Sequence, residues 1–346
     1  MSDHDIDPRL LILRRQYMQL FEPDFLAWPP SSLLKSADVQ KWLYKRLFDP
    51  SLNPKLPPEG YQMRVLKLLL SKIKKATDEH EVSCELKTHL ASLAARGAPP
   101  EFQTFHEKAY VTFTCTPEKP DLVDGYDDAP ERTVTLLERR HLVSGSRTTG
   151  FRTWEASLHL ASYLLTDTGS SFVRNKNVLE LGTGTGFLTI LLAKHLQAKR
   201  VTATDGDEDV IEALNENIAL NKLDNPQRAR TGTLTWGCDL EGTWVEDDCG
   251  THPYDIVIGT DITYDKIAIS ALVSTLYSLF NMRPELKVII SSVVRNAETF
   301  EVFKDECASR NFAVEDVEFE PKPMRQQKSL FYAAAVPIKI LSITRP

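Results

Sequence analysis

The sequence predicts an α/β protein: a parallel sheet covered on both faces by helices, preceded by a helical N-terminal extension. Three observations predict it. Asn177 to Leu181 is a short apolar run that leads through Gly182-Thr183-Gly184-Thr185-Gly186 into an apolar helical stretch. A second strand, Val201 to Thr204, ends at Asp205 about twenty residues beyond that turn. From Gly150 onward, strand and helix signals alternate, as a parallel sheet with helical crossovers requires.

The first hundred residues read as helical. Arg9 to Phe21 carries Leu10, Leu13, Tyr17, Leu20 and Phe21 at helical spacing. Pro29-Pro30 breaks the chain, and Ser31 or Ser32 is placed to cap the next helix. Lys41 to Phe48 and Gln62 to Lys75 are further amphipathic segments; in the second, Val65, Leu66, Leu69, Leu70 and Ile73 share one side. Pro99-Pro100 marks a boundary, so residues 1–100 are expected to form a helical region, either a cap on the rest or a substrate-recruiting domain. Lys108 to Thr114 and Arg132 to Leu137 read as strands around an acidic loop, Pro117 to Pro130, giving a β-hairpin lead-in over 101–149.

The main domain is expected over 150–346. Its helices fall at 154–165, 186–197, 207–221, 266–280 and 297–310, with Asn215, Asn217 and Asn221 on the polar side of the third. Its strands fall at 177–181, 200–204, 229–235, 254–259, 286–292, 313–319 and 331–339. The last two are joined without room for a helix and should pair antiparallel at the sheet edge. A seven-strand sheet ending this way is the methyltransferase variant of the Rossmann plan.

Composition narrows the function. At 346 residues the chain can form one large or two modest domains. No apolar run approaches the roughly twenty residues that span a bilayer, and Met1-Ser2-Asp3-His4-Asp5-Ile6-Asp7 is neither a signal nor a transit peptide. A cytoplasmic protein with no membrane role is expected. Cys84, Cys115, Cys238, Cys249 and Cys307 are scattered, without metal-ligand spacing, so no metal is expected. Residues 1–150 carry 21 Lys/Arg and 21 Asp/Glu; the remainder carries 20 and 27, so the whole net charge of −7 lies there. That half should repel polyanions and suit a basic protein, not nucleic acid. The sequence carries no oligomerisation signal, and a monomer is the default.

The glycine turn identifies a cofactor. A dinucleotide site places a third glycine where the helix begins against the pyrophosphate; here Phe187 occupies that place. Glu180, two residues before the turn, would repel a pyrophosphate but suit a cation bearing an amine and a sulfonium. Asp205 can accept hydrogen bonds from ribose hydroxyls. S-adenosylmethionine fits this set better than a nicotinamide dinucleotide.

Ligands of open α/β sheets bind at the carboxyl ends of the strands. Those ends are Gly182-Thr183-Gly184, Asp205, Trp236-Gly237 and Thr260 to Tyr264. Trp236 can wall the adenine pocket, and Asp239 beyond it can bond the adenine amino group. Trp154, before the first helix of the fold, can lie over the methionine portion. Asp261 and Tyr264 sit where the methyl group should be delivered and are the expected catalytic residues. Their D-x-x-Y spacing lacks both prolines of the N/D-P-P-Y/F motif of amide and nucleobase N-methyltransferases. Asp261 would orient cofactor or lysine, Tyr264 would contact a cation through its ring, and deprotonation is left to water.

Together, Gly150-x-x-x-Trp154-Glu155-Ala156, Val178 to Gly184, Thr235-Trp236-Gly237 and Asp261-x-x-Tyr264 resemble the eukaryotic seven-strand protein-lysine methyltransferases over most of residues 130–340. Leu136-Leu137-Glu138 through Gly150, and Ser291 to Phe300, resemble the branch, best its fungal-type members, that methylates a lysine of translation elongation factor 2. The resemblance implies a class I S-adenosylmethionine-dependent fold with a helical N-terminal extension. It implies cofactor contacts at Trp154, the Gly182–Gly184 turn including Thr183, Asp205, Trp236 and Thr260. Thr260 stands where relatives have a small residue, and Ser146-Arg147 is bulkier than the branch pattern. Methylation of a small molecule, a nucleic acid or another protein, or cofactor binding by an adaptor without turnover, are the alternative readings.

Overall fold

In the computed structural model, residues 6–77, 81–97, 108–117, 131–139 and 149–346 are described. The chain divides into two compact units, one of residues 1–116 and 120–143, the other of 117–119 and 144–346.

In the first unit, α1 (Pro8–Met18) begins at Asp7, whose side chain accepts from the Arg9 N–H. The chain breaks at Pro29-Pro30, but neither serine caps α2 (Ser31–Leu34); Ser31 is already helical and Pro30 precedes it. Ser36 caps α3 (Ala37–Leu43), which runs into a wider turn over Tyr44–Phe48. The expected apolar side of α4 (Glu59–Ala76) is buried at Val65, Leu66, Leu69, Leu70 and Ile73. A further helix, α5 (Cys84–Ala95), starts at Ser83, whose hydroxyl accepts from the Leu86 N–H. These elements share one core, centred on Leu13, Tyr17, Leu43, Phe48, Leu66 and Ile73. The strands β1 (Lys108–Thr114) and β2 (Thr133–Arg139) pair antiparallel, Lys108 facing Arg139 and Thr114 facing Thr133. This hairpin groups with the helices, and Glu131 before β2 accepts from Arg14 and Arg15 of α1 at 2.9 and 2.6 Å. Most of the expected acidic loop, 118–130, and the stretch 140–148 lie outside the described residues.

The second unit is the α/β domain. Its elements run α6 (Glu155–Leu164), α7 (Asp167–Ser171), β3 (Asn177–Leu181), α8 (Phe187–Lys194), β4 (Arg200–Asp205), α9 (Glu208–Leu220), β5 (Ala229–Thr233), α10 (Trp244–Thr251), β6 (Ile256–Thr260), α11 (Lys266–Met282), β7 (Lys287–Val293), α12 (Ala297–Ser309), β8 (Ala313–Val317) and β9 (Ile338–Thr344). The strands form one seven-stranded sheet in the order β5-β4-β3-β6-β7-β9-β8. Pairs among β3 to β7 are parallel, while β9 is antiparallel to both β7 and β8. Every residue of β3 is buried, as a central strand covered on both faces should be. On one face Leu179, Val257, Val288 and Ile290 pack against Leu272, Leu276, Phe280 and Phe303.

Besides α5 and α7, which the sequence pattern does not place, two elements depart from expectation for a visible reason. The crossover between β5 and β6 contains α10, whose inward side carries Val245, Cys249 and the buried acid Asp248. An acid at a core position hides the apolar period. The final strand begins at Ile338, not at Phe331. Residues from 331 onward look strand-like, but the Gln327 amide accepts from the Tyr332 N–H at 2.9 Å and donates to the Tyr332 carbonyl at 3.0 Å. That side chain satisfies the backbone groups a neighbouring strand would otherwise take.

Candidate active site

The chain runs outward from β3 through β4 to β5 and then crosses back to β6 on the other side of β3, so the sheet order reverses between β3 and β6. A crevice is expected beyond the carboxyl ends there. The turn after β3 is fixed by its neighbours. Gly182 has φ +65°, and a Cβ there would lie 2.6 Å from Ile262 Cγ2 and 3.5 Å from Trp236 Cζ2. At Gly184, φ +53°, a Cβ would lie 3.2 Å from the Gly150 carbonyl oxygen. The turn is therefore a cradle in which Gly182 has no room for a side chain and Gly184 has little. Thr183 N–H donates to the Thr204 carbonyl at 3.0 Å. Thr185 is held twice: its carbonyl accepts from Asn217 Nδ2 at 2.9 Å, and its hydroxyl lies 2.8 Å from the Thr153 hydroxyl. Asn217 is buried, so it serves the turn and does not face solvent as its place in the helix pattern suggests.

Two carboxylates flank the turn. Asp205 closes β4; its Oδ2 accepts from the Gly184 N–H at 3.1 Å and its Oδ1 from the Asp207 N–H at 3.3 Å. Burial raises its pKa, with the backbone donors opposing that shift. Glu180 is placed differently from the expected direct contact with a bound cation. Its side chain is buried and accepts from the Thr189 hydroxyl in the first turn of α8. Burial pushes its pKa up to about 7. Its contacts tie β3 to α8 beneath the turn.

Further along the sheet edge, Trp236 is half-buried beside Gly182 and Ile262, and the next residue, Gly237, donates to the Thr275 hydroxyl at 3.0 Å. Asp239 is exposed and accepts from the Glu241 N–H at 3.1 Å. Thr260 is the last residue of β6 and stands opposite Ser291 of β7. Asp261 follows in the left-handed region, φ +52°. Its N–H donates to the Ser291 carbonyl and its Oδ1 accepts from the Val293 N–H, both at 2.9 Å. Burial raises its pKa, opposed by the Val293 N–H and by Arg295. Tyr264 is 62 % exposed and stands at the rim, not in a packed wall.

Trp154 donates its indole N–H to the Thr149 carbonyl at 2.9 Å and immediately precedes α6. The guanidinium of Arg295 lies 5.7 Å from its ring centre. The same guanidinium is 3.5 Å from Asp261 Oδ2 and 3.9 Å from Glu155 Oε2. Residue type and spacing do not single out Arg295 or Glu155 as site residues. Both lie inside stretches that carry the family resemblance, and that is the one available signal. The carboxyl end of the sheet thus gathers a glycine cradle, a carboxylate closing β4, an aromatic beyond β5, and Asp261 after β6 joined through Arg295 to Glu155 of α6. This donor set fits a cationic adenosyl compound and opposes a pyrophosphate. Among the described residues, no group of three or more His, Cys, Asp or Glu could hold a metal ion.

Comparison with known proteins agrees with this geometry. The family described as "Lysine methyltransferase" matches residues 141–306. The chain is 40 % identical over 333 residues to protein-lysine N-methyltransferase EFM3 of Chaetomium thermophilum, covering 95 % of this chain and 96 % of that protein. It is 29 % identical to EFM3 of Saccharomyces cerevisiae over 61 % of this chain and 66 % of the yeast protein. It is 30 % identical to human protein-lysine N-methyltransferase EEF2KMT over 61 % of this chain and 64 % of the human protein.

Proposed function

Because this chain belongs to the protein-lysine N-methyltransferases, enzymes that use S-adenosylmethionine, we propose that its substrate is a lysine of translation elongation factor 2. The observation that carries the reading is the segment Ser291 to Phe300. It resembles the elongation factor 2 branch, and it delivers Arg295 to Asp261. The match to EFM3 along nearly the whole chain supports it, because it includes the N-terminal helices.

In this reading the cofactor lies on the Gly182–Gly184 turn, with Thr183 and Thr260 lining its pocket. Asp205 takes the ribose hydroxyls on its remaining lone pairs, Trp236 walls the adenine, and Trp154 lies over the methionine portion. Glu180 acts through Thr189, holding β3 and α8 in place. When bound, the cofactor supplies a methyl group on a cationic sulfur. Asp261 orients the acceptor lysine from a backbone-locked position, and water takes the proton. Holding donor and acceptor in line is the main catalytic contribution of the chain.

The rim suits a macromolecular substrate. Tyr264 and Ile267 are 62 % and 85 % exposed just beyond Asp261. Val336, 40 % exposed, precedes Pro337, whose carbonyl accepts from the Val294 N–H beside Arg295. Since β8 runs parallel to β7, the loop carrying Lys322, Arg325 and Lys328 leaves the sheet at this same edge, and all three residues are exposed. We assign this loop to substrate contact and the helical unit to substrate recruitment. The enzyme acts as a cytoplasmic monomer on this reading. No helix among the described residues is long and apolar enough to cross a membrane.

The test is incubation of the enzyme with labelled S-adenosylmethionine and a ribosome-associated cytosolic extract. A single labelled band at the size of elongation factor 2 is expected, and replacing Lys322, Arg325 and Lys328 together should raise its KM. Labelled RNA, labelled small molecules or another labelled protein would overturn the substrate assignment.

A further inference from the structure

Three chain segments bring charge to one point at Asp261, the residue to which the proposed function gives the acceptor lysine. Glu155 is the first residue of α6, Asp261 follows β6, and Arg295 follows β7 by two residues. The Arg295 guanidinium lies between the two carboxylates, 3.5 Å from Asp261 and 3.9 Å from Glu155, and over the ring of Trp154. Arg152 also lies over that ring, at 5.1 Å. At the starts of α11 and α12, Lys266 and Glu298 pair with each other at 2.6 Å and add no net charge. Asp261 is the most enclosed of the cluster, its side chain 11 % exposed against 30 % for Glu155 and 46 % for Arg295.

Two carboxylates alone are the wrong environment for the acceptor. They would hold a lysine as ammonium, which has no lone pair with which to attack. A guanidinium stays charged throughout the working pH range. Its presence halves the negative charge of the pair without removing the oxygens that orient an amine.

We propose that Arg295 is a positioning residue that keeps the acceptor lysine neutral by balancing Asp261 and Glu155 while holding both carboxylates in place. This rests on the lysine-methyltransferase activity of the family. In the step it serves, the neutral ε-amine donates its lone pair to the methyl carbon and an N–C bond forms. The S–C bond breaks with its electrons passing to sulfur, and the new secondary ammonium releases one proton to water. Arg295 acts before this step, by opposing the ammonium form of the incoming side chain.

The experiment compares wild type with Arg295→Met and Arg295→Lys. With elongation factor 2 as substrate, the acidic limb of the kcat–pH profile should move upward by about one pH unit in Arg295→Met and return in Arg295→Lys. A second measurement needs no protein substrate. Calorimetry of S-adenosylmethionine against S-adenosylhomocysteine compares a cationic with a neutral sulfur. Arg295→Met should favour the cationic compound several-fold relative to the neutral one, because the cluster becomes more negative. An unmoved pH limb, or equal loss of affinity for both compounds, would overturn the proposal. Should wild type leave elongation factor 2 unmodified, the substrate assignment fails and the affinity ratio alone decides the role of Arg295.

Discussion

The carboxylate of Asp205 accepts a hydrogen bond from the backbone N–H of Gly184 at 3.1 Å, so the acid that ends β4 and the turn that ends β3 are joined directly. The same acid also accepts from the Asp207 N–H. One side chain thus shapes the cradle and presents its remaining lone pairs to a ribose. Removing it should damage both functions.

Asp205→Ala leaves two N–H donors without their acceptor and removes the ribose partner. S-adenosylmethionine affinity should fall by about 1.5–3 kcal/mol, roughly 10- to 150-fold. Titration calorimetry reads this, with a melting curve showing that the variant is folded. Unchanged affinity would remove Asp205 from the site.

Gly182→Ala forces a methyl group to 2.6 Å from Ile262 Cγ2 at a left-handed backbone position. The cost should be about 1–3 kcal/mol of stability, with cofactor binding lost in parallel. Adding Ile262→Ala should return the steric part only, because the backbone strain remains. Full recovery, or none, in the resulting double-mutant cycle would contradict this division.

Glu180 makes stability pH-dependent. Its folded pKa, about 7, lies above the ordinary value of 4.5. Below 4.5 both folded and unfolded states hold the proton, and the contribution is complete. Between 4.5 and 7 the unfolded chain ionises while the folded chain resists, so stability falls as pH rises. Above 7 the loss is complete, on the order of 3 kcal/mol. Asp205 and Asp261 are raised in the same direction and add to the trend. Urea melts at pH 5 and pH 8 should therefore differ less for Glu180→Gln than for wild type. Identical differences would show that Glu180 ionises normally.

Asp248 anchors the opposite end of the sheet. It accepts from Arg200 and Thr202 at 2.9 Å, from Tyr254 at 2.8 Å and from Arg230 at 2.5 Å, with its side chain 1 % exposed. Burial raises its pKa, and its hydroxyl and arginine partners outweigh that and hold it low. Asp248→Ala strands the buried Arg200 and should destabilise by about 3–5 kcal/mol. Cofactor affinity of the folded fraction should stay unchanged, because Arg200 and Thr202 belong to the start of β4. Reduced affinity without reduced stability would refute this structural role.

Much of the fold was legible because backbone pattern carries it. β1 and β3 fall on the expected residues, and the last two strands pair antiparallel as expected, although the connection between them, residues 318–337, is longer than the sequence suggests and carries a short 3-10 turn. The expectations that failed did so through buried polar side chains, one replacing a strand partner and one interrupting an apolar period. Gln327 delays β9, and the buried Asp248 conceals α10. The glycine cradle and Asp205 were legible for a related reason, since their chemistry lies in a short run of sequence.

By itself, the sequence determined the α/β plan, the glycine turn, the acid closing β4 and the family resemblance. Each is local, written in adjacent residues or in a fixed repeat. Only the tertiary structure decided where side chains turn. It directed Glu180 onto Thr189, brought Asn217 to the back of the turn, and assembled Glu155, Asp261 and Arg295 from three separate segments. The reason is that a side chain's partner is set by which strands lie side by side, and that order, β3 next to β6 and β6 next to β7, exists only once the sheet has formed.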